Sequence, residues 1–396
     1  MPQHWSDDHE RERSIRQARH RRSTTLSQRH FSLRAALIFI VTTSSLLLSG
    51  SGAPSSGANV ARAATPAPLF SVGLARCTFV DTSRSVTNFS TTPPSVLTTS
   101  RTLVTEIRYP TPLQPGAPGE TPGAPPAERL GGYPLIVFSH GYDVTPDIYA
   151  ALLDSWAQAG FVVVAPIFPD ESAGEVASQN GVNTEGDLAN EPADLAFVTK
   201  EIVQASTIPT SACPIVHSLV MSNDIAFAGH SDGATAVGML AYDHGLDPQG
   251  VNYATLRVGI DVRAVLLFSG AEDTEQSYAT EASRPALLVV QSVADRCNRF
   301  VHGVQIYDAI HQANKWFLEL RRAHHLPPFD GKDSPAFNLV SATSIQFLQM
   351  SLEGVTPSPS LLDSGNQRPA LARMFNQERV PPLIRTPRLT EFCSPN

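Results

Sequence analysis

Ser231 stands in Gly229-His230-Ser231-Asp232-Gly233, with the apolar run Ile225 to Ala228 leading into it and helix-forming residues after it. A serine flanked by glycines at this spacing, between a strand and a helix, is the pattern of a sharp nucleophile turn. The glycines tolerate the crowded backbone, and the hydroxyl is left at the tip, beside the N–H groups of a helix N-terminus. A hydroxyl is a poor nucleophile at neutral pH. Attack on a carbonyl therefore requires a neutral imidazole to take its proton and a carboxylate to orient that imidazole. Further along, Asp295 follows the apolar run Ala286 to Gln291, and a pair of histidines, His324 and His325, follows Trp316 to Leu320. The order Ser, Asp, His is the one found in α/β-hydrolases, and the chemistry it serves is acyl transfer.

The other positions need donors and walls. The backbone N–H of Asp232, next to the serine, and that of Tyr142, in Ser139-His140-Gly141-Tyr142, are the expected pair that would hold an oxyanion. Asp273 is the rival to Asp295, because it too follows a strand-like run, and its ordinary role would be a solvated turn carboxylate. Tyr142, Phe168 and Phe329 are candidates for the apolar walls of a fairly open substrate cleft. No H-E-x-x-H or clustered His/Cys/carboxylate spacing occurs, so neither a catalytic metal nor another cofactor is expected.

These residues need elements to position them. Thr102 to Tyr109 alternates polar and apolar residues, as a half-buried strand does. Leu135 to Phe138, Phe161 to Pro166, Ile225 to Ala228, Ala264 to Phe268, Ala286 to Gln291 and Trp316 to Leu320 are apolar runs suited to strands covered on both faces. Helices are expected over Ile148 to Gln158, from near Pro192 to Ala205, over Ala234 to Tyr242 and over Val304 to Ala313. Strands alternating with helices imply an α/β class and a mostly parallel, doubly wound sheet with helices on both faces and little or no lid. Functional groups of such a sheet collect beyond the carboxyl ends of its strands, where Ser231, Asp295 and His325 fall.

The chain has 396 residues, 42% hydrophobic and 17% charged, with 32 prolines and 25 glycines. Residues 1 to 34 carry eight arginines, and the short apolar core Ala35 to Leu48 follows, then small residues and Ala61-Arg62-Ala63. That is the pattern of a secretory signal with a long basic leader, cleaved before Ala64. The core is short for a membrane span, so membrane attachment is expected only if the segment stays uncleaved. Removing residues 1 to 63 takes nine of 29 basic and four of 37 acidic residues, leaving a net charge of −13. So acidic a protein is not expected to bind nucleic acid. The expected organisation is signal and leader over 1–63, a mostly loop extension over 64–101, one catalytic domain over 102–353 and a proline-rich tail over 354–396, in a secreted monomer. Cys77, Cys213, Cys297 and Cys393 could form up to two disulfides in an oxidising compartment, with the pairing open.

Taken together, Pro134 to Tyr142 (PLIVFSHGY), Gly160 to Pro166 (GFVVVAP), Glu191 to Val198, Gly229 to Gly233, Asp295 and Ala323-His324-His325-Leu326 resemble the secreted α/β-hydrolases. That group includes bacterial cutinase-like polyester hydrolases, chlorophyllase and plasma-type platelet-activating factor acetylhydrolase. The resemblance runs from about Thr102 to Leu352. It implies Ser231 as nucleophile, Asp295 as acid, His325 rather than His324 as base, and Tyr142 with Asp232 as oxyanion donors. The implied activity is hydrolysis of short-chain, lipid or polymeric esters through an acyl-enzyme. Asp232 departs from the apolar or amide residue common after the nucleophile, which raises the question of a carboxylate beside developing negative charge. Two other readings remain at this stage: a non-catalytic binding protein on the same fold, or a peptidase or lyase using the same three residues.

Overall fold

The computed structural model describes residues 69–88, 93–114, 119–178, 187–270, 285–311, 314–356, 366 and 368–381, all within one compact unit spanning 61–396. The expected signal segment, Asp273, Cys393 and the stretch 271–284, where a lid was not expected, lie outside the described residues.

The strands are β1 (Ser71–Asp81), β2 (Val86–Asn88), β3 (Ser95–Thr98), β4 (Arg101–Thr111), β5 (Glu120–Pro122), β6 (Tyr133–Ser139), β7 (Val162–Pro166), β8 (Val220–His230), β9 (Val262–Phe268), β10 (Ala286–Ser292), β11 (Lys315–Leu320) and β12 (Ala372–Asn376). Among the described residues one sheet runs β12-β11-β10-β9-β8-β6-β7-β4-β1-β5. Its centre, from β7 to β11, is parallel throughout. The β4–β7, β1–β4 and β11–β12 pairings at its flanks are antiparallel.

The physical reason for the parallel centre is visible in β6. Leu135 and Val137 enter the apolar core on one face, Ile136 and Phe138 the core on the other, and all four are fully buried. A strand with no polar face cannot sit at a solvated surface, so helices must cover both sides. They are α1 (Ala150–Gln158), α2 (Ala173–Ser178), α3 (Glu191–Thr207), α4 (Asp232–Tyr242), α5 (Tyr253–Leu256), α6 (Phe300–Ala309), α7 (Pro327–Asp330) and α8 (Ser334–Glu353). No helix among the described residues is long and apolar enough to cross a membrane.

Three features go beyond the sequence expectation. Within the extension expected to be mostly loop, β1 pairs with β4 over eleven residues, from Ser71↔Thr111 to Asp81↔Arg101. The tail contributes β12 to the opposite edge of the sheet. Both additions satisfy backbone groups that would otherwise be exposed at a sheet edge. The twenty-residue α8, which sequence reading left unassigned, buries Leu339, Val340, Phe347 and Leu348 against the sheet.

Cys77 in β1 is bonded to Cys213 in the loop ahead of β8, fastening the antiparallel flank to the centre of the sheet. Fully buried Arg101 does the same by charge, meeting Asp187 at 2.5 Å and Asp194 at 2.6 Å, while Arg84 joins Asp194 at 2.5 Å. A guanidinium can be buried only with its charge paired and its donors engaged, which this cluster supplies.

Candidate active site

Ser231 sits between β8 and α4 with φ +56° and ψ −123°, a strained conformation for a side-chain-bearing residue. The flanking glycines explain how the strain is held. A Cβ on Gly229 would lie 2.3 Å from Gly233 O, and one on Gly233 would lie 2.2 Å from Ser139 O and 2.4 Å from His140 O. The turn is thus pressed against its own helix and against the end of β6. Ser231 N–H donates to Phe268 O at 3.0 Å, which pins the turn to β9 as well.

Asp295 is fully buried in the loop after β10. Its Oδ1 accepts from the N–H groups of Cys297 at 2.8 Å and Asn298 at 3.0 Å. Its Oδ2 takes His325 Nδ1 at 2.9 Å and Gln291 Nε2 at 3.3 Å. The carboxylate accepts, so His325 carries its proton on Nδ1, and Nε2 is left as the basic nitrogen. His324 is exposed, whereas His325 is the histidine that reaches the carboxylate.

His325 is set beside His230, the residue before the serine. The rings of His230 and His325 lie 4.5 Å apart. Gly141 N–H donates to Tyr149 Oη at 3.2 Å, Tyr149 Oη lies 2.8 Å from His230 Nδ1, and His230 Nε2 lies 3.2 Å from His325 O. The directions follow from the carbonyl end: His325 O only accepts, so Nε2–H of His230 donates to it, and the bare Nδ1 of the neutral ring accepts from Tyr149 Oη–H. Burial and the neighbouring His325 hold His230 well below the ordinary imidazole range, so it stays neutral and the relay keeps one direction. One chain of hydrogen bonds thereby ties the loop after β6 to the loop that bears His325. Sequence reading missed Tyr149 and His230 because nothing in their spacing shows that they meet.

The Cβ position of Gly141 lies 3.0 Å from Ser231 Cβ, so Tyr142 follows directly beside the serine. His140 is buried, bonded through Nδ1 to Gly141 O at 2.8 Å and accepting Phe168 N–H at 3.0 Å on Nε2. Burial pushes its pKa down to about 4.

Phe168 and Phe329 do not wall a cleft. Both are fully buried. Phe168 packs on the His140 ring at 4.8 Å, and Phe329 on His230 at 4.9 Å and Phe268 at 5.1 Å. Their apolar rings exclude water from behind the site instead of facing a substrate. The Asp232 side chain is buried, and its charge bears on Glu171 and Glu191.

These two glutamates form, with Asp170, Asp187 and Asp232, a buried acidic cluster beneath the loop after β6. The link is direct, since Asp143 N–H donates to Glu171 O at 2.9 Å. Glu171 Oε1 accepts the Asp187 N–H at 3.0 Å, while Oε2 has no partner among the described residues. Burial, then the charges of Asp232 and Asp187, push Glu171 up to about 9, and burial with the Glu171 charge raises Glu191 well above the carboxylate range. Glu171 is therefore a carboxylic acid at neutral pH, and Glu191 is pushed in the same direction. Between the ordinary value of 4.5 and about 9, the folded protein retains a proton on Glu171 that the unfolded chain loses. Stability must therefore fall as pH rises through that window. Glu171→Gln keeps the acceptor for Asp187 and removes the titration. Its free energy of unfolding, from urea titration, is expected to match wild type at pH 5 and to exceed it at pH 8 by on the order of a few kcal/mol. Parallel pH profiles for the two proteins would contradict this.

Asp295, Cys297 and His325 are the one group of possible metal ligands whose atoms converge among the described residues. Cys297 is disulfide-bonded and His325 Nδ1 is engaged with the carboxylate, so the donor set does not suit an ion.

The sheet order and the residues gathered at its strand ends are those of the α/β-hydrolase fold. Residues 123–267 match the family model of chlorophyllase. The matched segment includes Ser231 and the loop after β6 but stops short of Asp295 and His325. Among solved structures, the ferulic acid esterase from Streptomyces cinnamoneus matches with a TM-score of 0.55 at 19% identity, over 75% of this chain and 95% of that one. A comparison with curated protein sequences finds no match. The chain has the α/β-hydrolase fold, and its middle third resembles the chlorophyllase family.

Proposed function

We propose that the protein is a serine esterase in which Ser231 is the nucleophile, His325 the general base and Asp295 the acid that orients it. The observation that carries the reading is the 2.9 Å bond from His325 Nδ1 to the fully buried Asp295, beside the strained turn at Ser231. In the first half-reaction the Ser231 Oγ–H bond breaks, the proton passes to His325 Nε2, and Oγ bonds to the ester carbonyl carbon. The carbonyl electron pair moves to oxygen, where the backbone N–H groups of Tyr142 and Asp232 are the proposed donors. Collapse expels the alcohol, which takes the proton from His325, and the acyl-enzyme is released by water that His325 deprotonates. No cofactor enters this cycle.

Asp232 suits this role better than its charge suggests. Its carboxylate is buried and acts on Glu171 and Glu191, both of which are pushed towards the protonated form, and a first-turn acid favours the helix dipole. The substrate class supported by the resemblance and the comparisons is a carboxylic ester of small, lipid or polymeric type. The Cys77–Cys213 disulfide, with the signal-like leader, supports an extracytoplasmic setting.

A fluorophosphonate probe distinguishes an activated serine from a silent fold. Wild type is expected to gain one adduct, mapped to the peptide bearing Ser231, and Ser231→Ala none. An unlabelled wild type, or a labelled Ser231→Ala, would refute the assignment.

A further inference from the structure

Asn298, three residues beyond Asp295, touches the nucleophile itself. Its Nδ2 lies 2.7 Å from Ser269 O and 3.4 Å from Ser231 Oγ. Its main chain is engaged on the acid side of the site: the N–H donates to Asp295 Oδ1 at 3.0 Å, and the carbonyl accepts Gln291 Nε2 at 3.1 Å. One residue thus connects the ends of β8, β9 and β10, the strands that deliver Ser231, Ser269 and Asp295.

The direction of the contact with Ser231 can be derived. A main-chain carbonyl only accepts, so Ser269 O requires the NH2 end of the Asn298 amide to face it, which settles the amide orientation. The second hydrogen on the same nitrogen is then the one presented to Ser231 Oγ, and Oγ is the acceptor. A hydroxyl has one hydrogen and two lone pairs. With one lone pair taken by a partner that has no acceptor to offer, the serine proton must find its acceptor elsewhere. The basic nitrogen of the site is Nε2 of His325, because Nδ1 is protonated towards Asp295.

We infer that Asn298 is a further catalytic residue, whose amide donates to Ser231 Oγ, directs the hydroxyl proton to His325 and meets the negative charge that gathers on Oγ as it attacks. The inference rests on Ser231 being the nucleophile. A 3.4 Å bond is long in the resting site. It strengthens as the acceptor gains charge, which is the behaviour that lowers a barrier rather than tightening substrate binding. The balance of the step is unchanged by it: Oγ–H breaks, Oγ–C forms, the proton goes to His325 and the carbonyl pair to oxygen. Asn298 keeps both its hydrogens throughout.

The test uses the full chain, p-nitrophenyl acetate and a fluorophosphonate probe, with wild type, Ser231→Ala, Asn298→Ala and Asn298→Asp. Asn298→Ala is expected to lower kcat and the labelling rate together by about 10- to 100-fold, with KM within about twofold, less than the loss of a short oxyanion donor. Asn298→Asp has the same shape but can only accept. It is expected to lose more than Asn298→Ala and to move the acid limb of the kcat/KM profile to higher pH, since a carboxylate there favours the imidazolium of His325. A space-filling role predicts the opposite order, with the isosteric Asn298→Asp losing less than Asn298→Ala. Thermal melts and circular dichroism normalise each rate to folded protein. Wild-type kcat and labelling in Asn298→Ala, or losses that follow only the folded fraction, would overturn the inference. Activity surviving in Ser231→Ala would instead overturn the assignment of the nucleophile.

Discussion

Asp295→Asn lowers turnover of p-nitrophenyl acetate by about 10⁴-fold while the protein stays folded, by analogy with the same exchange in other serine triads. The reason lies in the four partners of the carboxylate. Oδ1 receives two backbone N–H groups, from Cys297 and Asn298, and an amide NH2 cannot replace an oxygen there without facing two donors. The asparagine oxygen must therefore take the Oδ1 position, which puts the NH2 group at Oδ2, against His325 Nδ1. The amide then donates to Nδ1, the ring proton moves to Nε2, and the imidazole can no longer accept from a serine. The protein keeps its fold because the loop geometry is conserved. Steady-state kinetics with a melting curve checks both halves. A variant with a tenth or more of wild-type turnover would show that His325 does not depend on this carboxylate.

Gly233→Ala should abolish both activity and stability. The added Cβ would sit 2.2 Å from Ser139 O and 2.4 Å from His140 O, and both are main-chain atoms at the end of β6. No rotamer change relieves such a clash. Either α4 moves away from β6, carrying Ser231 with it, or the oxyanion loop shifts. Overpacking of this kind costs up to about 3 kcal/mol and sometimes more. A loss at the upper end is expected here because the neighbours belong to fully buried strands. Urea unfolding monitored by tryptophan fluorescence reads the effect. An unshifted midpoint would mean that the turn has slack that these distances do not allow.

Much of the site was legible because its chemistry demands particular residue types at strand ends. Ser231 is marked by glycines that no other residue can replace, Asp295 by its position after Ala286 to Gln291, and His325 by its position after Trp316 to Leu320. The long apolar runs identified the parallel strands because a strand buried on both faces has no polar alternation to obscure it. The weaker patterns failed for corresponding reasons. The eleven residues of β1 are of mixed polarity at a flank of the sheet, and β12 lies within a proline-rich tail, so neither carries a strong period.

Residue type and order along the chain thus determined the α/β class, the turn at Ser231 and the small set from which acid and base could be drawn. Only the tertiary structure decided how those groups are held. It placed His325 and not His324 against Asp295, and paired Cys77 with Cys213. It turned Phe168 and Phe329 into buried supports, and set the Asp232 carboxylate in a buried acidic cluster. It also brought in Tyr149, His230 and Asn298, whose roles depend on contacts as distant along the chain as 81, 95 and 67 residues. The physical reason is that a catalytic residue type is chosen by intrinsic chemistry, which a sequence displays, whereas burial, hydrogen-bond direction and charge environment belong to pairs of residues that meet only when the sheet has formed.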